Sequence, residues 1–388
     1  MAQYLIVSLI LGCAVLGGYT SMFTSHWHGF FDALRMCNAG AEKCVLDMTD
    51  SVSRPITGFE TIDGTVNLLL EFFSQGLRKN PEVQGMDLEA LVAFVYLAAQ
   101  FGGAWYLIAL EGLRFGNKGT ILSWTGTFGI VFQAVTITII APIYLTLELL
   151  SSPSTLQQTH LLVDPVDLVF LPVATIISYI IPTIGLCLPL VYDVSRDAKF
   201  ITVALWQPFP LYQSALQYMW RLLRGSRLSG TEGKAHVELV QCRTAIDRAY
   251  VFITGLTMSV HIVLMGTIVA SWMQLVQSIS GYHILALTSV TNPPTLALLE
   301  PPVPAMQSRE IVVSFLRWDV YCTCLSMIFW SGYQLYIAQR SPSVLVLVIR
   351  AILLALIGGP IFPALMFLWE RDDNMMIKMN LSTSRKQK

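Results

Sequence analysis

The stretch AYVFITGLTMSVHIVLMGTIVASWMQLV, residues 249–276, contains no Asp, Glu, Lys or Arg. A transmembrane α-helix needs about 20 consecutive apolar residues to cross the hydrocarbon layer of a bilayer. This stretch exceeds that length, and its one histidine, His261, lies near the middle. It therefore predicts an integral membrane protein.

The composition of the whole chain agrees with this prediction. Of the 388 residues, 54% are hydrophobic and only 13% are charged, and the mean hydropathy is +0.60. A soluble domain carries about 25% charged residues. The net charge is −1, and the chain has no basic tract, phosphate-binding loop or nucleotide fingerprint. We therefore expect membrane lipid around the protein and no nucleic acid as a partner.

Further apolar stretches predict an all-α fold, a polytopic transmembrane bundle of seven or eight spans. The spans are 4–22, 88–112, 120–150, 167–192, 249–276, 319–338 and 351–369, with 200–220 as a weaker eighth. Pro142 should kink the third span. The first lacks the basic residues and cleavage pattern of a signal peptide, so we interpret it as a retained helix.

Three polar segments separate or follow these spans within a single membrane domain, residues 1–388. They are a long first loop over about 23–87, a basic loop over about 221–248 and a polar tail over about 370–388. The tail ends in Arg-Lys-Gln-Lys, which resembles a retrieval signal of the endoplasmic reticulum. We therefore expect the protein in that membrane.

The first loop contains GFETIDGTVNLLLEFFSQGLR, residues 58–78, which has the periodicity of an amphipathic helix. Steps of three and four residues place one set of polar side chains on a single face: Glu60, Asp63, Asn67, Glu71, Ser74 and Arg78. One interpretation is a surface helix with its acids in water. The other is that the acidic face lines an enclosed pocket and supplies a proton.

Ionisable groups at membrane depth are costly, so they are candidates for function. Besides the acidic helix, the carboxyls near predicted span ends are Glu111, Glu148, Asp193, Asp247 and Asp319. Burial generally raises the pKa of a carboxyl, so such an acid stays protonated near neutral pH and can donate its proton. Aromatic side chains such as Trp206 recur near the same levels; most fit an interfacial belt, although ring faces also attract cations.

Cofactor and metal chemistry find no support in the sequence. Asp372-Asp373-Asn374 lies too late in the chain, is expected to be too exposed and has the wrong spacing for a magnesium–diphosphate site, and no DxDD box is present. We therefore predict no cofactor and no metal. Ionisation of a diphosphate and protonation of a bare alkene are both disfavoured.

The acid-bearing segment 58–77, followed by Asn80-Pro81, resembles the first-loop signature of fungal integral membrane terpene cyclases of meroterpenoid biosynthesis, of the ascochlorin, ascofuranone and macrophorin type. The chain length and the early acidic loop also match. The resemblance implies proton-initiated cyclisation of the prenyl chain of a lipophilic prenylated polyketide or phenol, an isomerase or lyase reaction. It also implies a pathway link to a prenyltransferase and an epoxidase.

A carboxylic acid of raised pKa opens an epoxide more readily than it protonates an alkene, so we predict protonation of a terminal epoxide, with the alkene as the alternative. Asp63 is the leading acid, Glu60 or Glu111 is its partner, and Asp193 and Asp319 are further catalytic candidates. The competing function is an ion-coupled transporter or a receptor-like protein, since proline-broken spans with acids occur there too. The chain shows no internal repeat of the kind many transporters have.

Overall fold

The structure, a computed structural model, describes residues 2–38, 58–79, 85–151, 158–224, 235–273, 308–339 and 343–386. Within these ranges the chain is helical, and the one strand-like contact is a bridge between Arg114 and Val163. The helices in chain order are α1 Ala2–Trp27, α2 Phe30–Asn38, α3 Glu60–Gly76, α4 Leu88–Gly112, α5 Thr125–Ala134, α6 Ile137–Ser151, α7 Pro165–Val191, α8 Arg196–Trp206, α9 Phe209–Arg224, α10 Ala235–Trp272, α11 Ser308–Gln339, α12 Val344–Gly358 and α13 Phe362–Lys386. The all-α prediction is confirmed.

Five of the described helices are long and apolar enough to cross a membrane: α1, α4, α7, α10 and α11. A sixth span results if α12 and the following part of α13 are counted as one bent element, and α6 is a shorter apolar helix. The chain is therefore a polytopic membrane protein, whereas the predicted count of seven or eight spans is not established.

The predicted third span, residues 120–150, is two helices rather than one kinked helix. The break lies between α5 and α6, where Thr136 has a φ of 152°. Pro142 lies inside α6 and does not interrupt that helix. A φ in this region is rare for residues other than glycine. The kink was assigned to the wrong position because the break depends on a side chain from another helix, described below.

Two other predicted spans also divide. The stretch 351–369 is a hairpin in which α12 and α13 meet at 118°, with Gly359 at a φ of 92°. The weaker stretch 200–220 separates into α8 and α9 around Gln207 and Pro208, and neither passes as a span. In both places a Gly-Gly-Pro or Gln-Pro sequence ends one helix and starts the next.

The expectation that Asp372 is exposed is wrong. Residues 370–386 continue α13, and Arg371 and Asp372 are buried rather than in water. Their burial is tolerated because each faces an opposite charge from α4 or the turn that follows it, as described below. The predicted first loop contains α2 and α3, and the acidic helix is confirmed as α3.

Helix α11 lies at the centre of the bundle and packs against α1, α3, α4, α6 and α13. Its N-terminal half contacts α2 and α3 through a cluster of apolar side chains that includes Phe30, Phe72 and Phe315. Its C-terminal half packs on α6 and α13. The two halves of α11 therefore belong to two different regions of the bundle.

Candidate functional site

A cavity of about 240 Å³ lies between α3, α4, α7, α8 and α11, with the α5–α6 break in its wall. Its lining is mostly apolar and contains nine aromatic rings, of which Phe72 and Phe73 come from α3. The first-loop helices thus cover one end of a space that begins among the membrane-spanning helices. An oily ligand suits such a space, since ligand pockets are concave and mainly apolar, with few polar groups.

Four of the rings form a contiguous aromatic wall: Phe101, Phe132, Tyr179 and Trp206. The ring centroids of Phe101 and Phe132 are 5.8 Å apart, and those of Phe101 and Tyr179 are 6.0 Å apart. Tyr179 donates its hydroxyl to the Ala98 carbonyl at 2.7 Å, and Trp206 donates its indole N–H to Thr183 at 2.9 Å. The polar ends of both rings are therefore held by protein.

Asp319 of α11 contributes the one carboxyl among the described residues that line the cavity. Its side chain is 7% exposed. The Thr136 hydroxyl and the Thr138 backbone N–H, at 3.2 Å, both donate to Oδ1. Within the described part of the chain no donor reaches Oδ2. One oxygen is thus anchored and the other is left for a ligand.

Asp319 also explains the break between α5 and α6. The first turn of a helix has backbone N–H groups without partners, and Asp319 accepts one of them, from Thr138, as a cap supplied by another helix. Non-helical backbone at membrane depth is tolerated where it is buried in protein or lines a cavity, and residues 133–137 all line this one. Helix α1 packs closely against the start of α6 at this break, because a Cβ at Gly17 would overlap the Thr138 side chain.

The acidic face of α3 neither lies in water nor lines the cavity, the two arrangements considered from the sequence. Asp63 and Glu71 are buried, at 6% and 3% exposure, so they do not lie in water. The cavity, however, is lined by the opposite face of the helix, through side chains such as Leu69 and Phe72. The backbone N–H of Gly58 donates to Asp63 Oδ2 at 3.0 Å.

The other sequence candidates lie outside the cavity lining formed by the described residues. Glu60 is exposed at the start of α3. Asp193 is 93% exposed after the end of α7 and pairs with Lys79 at 2.8 Å. The structure thus does not bring the five predicted acids together, and of these only Asp319 reaches the cavity.

Glu111 belongs to a packed ion cluster at the other end of α4, composed of Glu111, Arg114, Arg371 and Asp372 with Tyr250. Arg114 lies 2.7 Å from both Glu111 and Asp372, and Arg371 lies 2.9 Å from both. Burial disfavours the charged guanidinium, but these carboxylates outweigh it and hold the pKa of Arg114 well above its ordinary value. Two cations thus match two anions. About 15 Å of helix separates Glu111 from Phe101 of the cavity wall.

Sequence reasoning did not single out the aromatic wall or the polar residues of the break. Trp206 was interpreted as part of an interfacial belt, yet it lines the cavity. Thr136 carries no local signal, because neither Gly nor Pro stands at the break. The one usable signal was the short apolar stretch around Trp206-Gln-Pro, too weak for a span.

Fold and site together define a helical membrane protein with an aromatic-lined cavity that holds a single carboxyl among its described lining. The sequence matches the family described as the CtvD domain over residues 4–376, and the chain belongs to that family.

Curated relatives cover nearly the whole chain at modest identity. Terpene cyclase ascI of Acremonium egyptiacum is 26% identical, over 94% of this chain and 92% of the relative. Terpene cyclase ctvD of Aspergillus terreus is 25% identical, over 95% of this chain and 98% of the relative. Terpene cyclase atmA of Aspergillus flavus is 23% identical, over 91% of this chain and 92% of the relative. No solved structure matches the chain. The resemblance to fungal membrane terpene cyclases is confirmed.

Proposed function

We propose that this protein is a membrane-bound terpene cyclase of fungal meroterpenoid biosynthesis. In this proposal Asp319 protonates the terminal epoxide of a prenylated polyketide or phenol. The observation that carries the proposal is the position of Asp319: a carboxyl with one free oxygen, in a cavity otherwise lined mainly by apolar and aromatic side chains. The activity class agrees with the names of the relatives. Because Asp319 is the one carboxyl of the described cavity lining, it replaces Asp63 as the leading acid.

The geometry around Asp319 supports the proposed proton transfer. Oδ1 is held by Thr136 and Thr138, so a proton on Oδ2 is available to the epoxide oxygen. Proton transfer breaks the C–O bond at the substituted carbon, and the neighbouring double bond attacks the positive charge that develops there. The final cation returns one proton to the Asp319 carboxylate, the one carboxylate of the described lining, so the acid is restored and the product is an isomer of the substrate.

The aromatic wall is placed to stabilise the intermediate charge. Ring faces attract cations by roughly 0.5–2 kcal/mol each. Since Tyr179 and Trp206 direct their polar atoms to protein partners, their oxygen and nitrogen are already engaged. A mainly apolar lining also excludes water, which would otherwise capture the cation before ring closure.

The proposal includes the remaining expectations on setting. The substrate is a lipophilic prenylated molecule that reaches the cavity from the bilayer, made by a prenyltransferase and an epoxidase of the same pathway. The membrane is that of the endoplasmic reticulum. Glu60, Asp63, Glu111 and Asp193 stay as predicted candidates of lower rank, because the described cavity lining does not include them.

Expression in yeast tests the proposal, with microsomes fed an epoxidised farnesyl phenol and products separated by chromatography and mass. Wild type should yield an isomer of unchanged mass. Asp319→Asn, which keeps an acceptor for Thr138, should lower turnover about 10²–10⁴-fold, the usual contribution of a general acid. Asp197→Asn, at an exposed position in the first turn of α8, is the matched control and should keep wild-type turnover.

Wild-type turnover by Asp319→Asn, at equal amounts of folded protein, would return Asp63 to the leading position. The second candidate function, an ion-coupled carrier, is favoured by the broken α5–α6 segment capped by an acid, since carriers also build sites from discontinuous helices. A carrier moves a solute and leaves it chemically unchanged, so vesicle uptake without isomer formation would select it.

A further inference from the structure

Arg35 of α2 is the one Lys or Arg among the described residues that line the cavity. Its side chain is 70% exposed, whereas Asp319 in the same lining is 7% exposed. The cation therefore lies at the mouth of the cavity, and the acid lies inside. A mainly apolar space joins these two polar ends.

Aromatic rings separate the two ends. Phe315 precedes Asp319 on α11 by about one helical turn, or roughly 6 Å along the axis. The ring centroids of Phe315 and Phe72 are 4.9 Å apart, and those of Phe72 and Phe30, at the start of α2, are 6.0 Å apart. Phe72 and Phe315 both line the cavity. An elongated ligand with a polar head and an apolar chain matches this order of groups.

The end of α1 that leads into α2 carries an exposed aromatic stripe. Tyr19, Phe23 and Trp27 stack along it, with neighbouring ring centroids 5.3 Å and 6.1 Å apart. Aromatic side chains at the end of a span are typical of the membrane–water interface. Because α2 follows directly, with Phe30 buried and Arg35 exposed, the mouth lies at the level where the polar part of an amphiphile resides.

The guanidinium of Arg35 has donors left for a ligand. Its ion pair in the described structure is with Asp32 on the same helix, at 3.7 Å, and both side chains are exposed. Exposed pairs of this kind contribute little, and Asp32 does not belong to the described cavity lining. A guanidinium presents five N–H groups in a planar fork that matches the two oxygens of a carboxylate.

The lining also makes the two orientations of such a ligand unequal. A carboxylate at the mouth meets Arg35 and water. The same carboxylate turned inward would lie among apolar rings next to Asp319, and burial of an unpaired charge is costly. A negative head therefore directs the apolar chain towards the acid.

We propose that Arg35 binds a carboxylate on the head group of the substrate and so holds the prenyl chain with its far end towards Asp319. Arg35 is then a positioning residue. The inference rests on the proposed function for the chain and its acid. It adds the chemical class of the head group: an anionic carboxylate rather than a neutral ring.

Equilibrium binding to the purified full chain in detergent tests the inference. The two probes are a farnesylated hydroxybenzoic acid and its methyl ester, neither of which carries an epoxide. Compared with wild type, Arg35→Gln should bind the acid about 2- to 5-fold less tightly, the effect of an exposed ion pair, and should bind the ester equally well. Arg35→Lys, which keeps the charge but not the planar fork, should lose less affinity for the acid than Arg35→Gln does.

Arg224→Gln is the matched control. Arg224 is an exposed arginine that lies over the Trp220 ring of α9, 4.8 Å from its centroid, and it does not line the described cavity. This variant removes the same charge and should bind both probes like wild type.

An unchanged affinity for the acid in Arg35→Gln overturns the inference, as does an equal loss in Arg224→Gln. An equal loss for acid and ester in Arg35→Gln also overturns it, because Arg35 would then act on the fold or on lipid rather than on the carboxylate. Isomer formation from the epoxidised probes is measured separately. Acid binding that depends on Arg35 in a wild type that forms no isomer refutes only the proposed function. Isomer formation with acid binding independent of Arg35 refutes only this inference.

Discussion

Both ends of this bundle bury carboxyl groups, but they surround them differently. At the packed ion cluster, Glu111 and Asp372 face two arginines, and the described cavity does not reach them. At the cavity, Asp319 faces a threonine hydroxyl and a backbone N–H and leaves one oxygen free. The partner therefore distinguishes the two regions better than burial does: a matched cation indicates a structural role, and a neutral anchor beside a cavity fits the acid role proposed for Asp319.

The largest effect that would test this comparison is on stability, from Arg371→Met. Removing one member of a buried ion cluster leaves an uncompensated charge, so we expect a loss of about 3–5 kcal/mol in the free energy of unfolding. The fraction of protein that elutes as a folded species in detergent should fall steeply, whereas Asp319→Asn should elute like wild type.

The double variant Arg371→Met/Glu111→Gln is the control, because it removes a matched pair of charges. It should recover part of the folded fraction. Equal folded fractions for Arg371→Met and wild type would show that the packed ion cluster is not a structural element, and the comparison would fail at that end.

A smaller effect is expected on turnover from Trp206→Leu, at the cavity end. The loss of one ring face from the aromatic wall should cost roughly 0.5–2 kcal/mol of cation stabilisation, or about 2- to 30-fold in rate. Products captured early by water should rise relative to the cyclised isomer, as measured by chromatography of the microsomal products.

Trp124→Leu is the matched control, since Trp124 is 60% exposed on the outside of the bundle and does not line the cavity. Its product pattern should be unchanged. An identical pattern from both tryptophan variants would mean that the aromatic wall does not act on the intermediate.

The smallest effect should come from Thr136→Val, which removes one of the two donors to Asp319 while keeping the shape of the side chain. We expect a 2- to 12-fold loss in turnover, equivalent to about 0.5–1.5 kcal/mol for one hydrogen bond. The same substitution at Thr146 of α6 is the control, because the buried Thr146 hydroxyl has no partner in the described structure. Thr146→Val should be active and no less stable than wild type, and a larger loss there than at Thr136 would contradict the anchoring role.

The sequence predicted those features that depend on local pattern. The uninterrupted apolar stretch in α10 and the three-and-four periodicity of α3 both correspond to helices. It did not predict the α5–α6 break, because the group that stabilises that break, Asp319, lies more than 180 residues later in the chain. For the same reason Asp319 could not be ranked above Asp193: both are aspartates near predicted span ends, and only the fold separates a cavity wall from an exposed turn.

The division of predicted spans follows a similar rule. Gly359 allows the hairpin between α12 and α13. Two side chains from other helices hold its tip. Gln100 accepts a hydrogen bond from the Ile361 N–H at 3.2 Å, and His261 donates one to the Leu356 carbonyl at 3.1 Å. Glycine marks where a chain can turn. Whether it does turn within an apolar region depends on distant polar side chains that satisfy the exposed backbone.

The tight contact between Gly17 and Thr138 gives the first helix a role that its own side chains do not reveal. Helix α1 contributes no acid, base or aromatic ring to the proposed chemistry. It nevertheless packs, through Gly17, against Thr138, whose backbone N–H donates to Asp319. Cleavage of this segment as a leader peptide would leave the remaining helices able to insert but would let the α5–α6 junction relax outward. A membrane-integrated yet inert protein is the expected consequence.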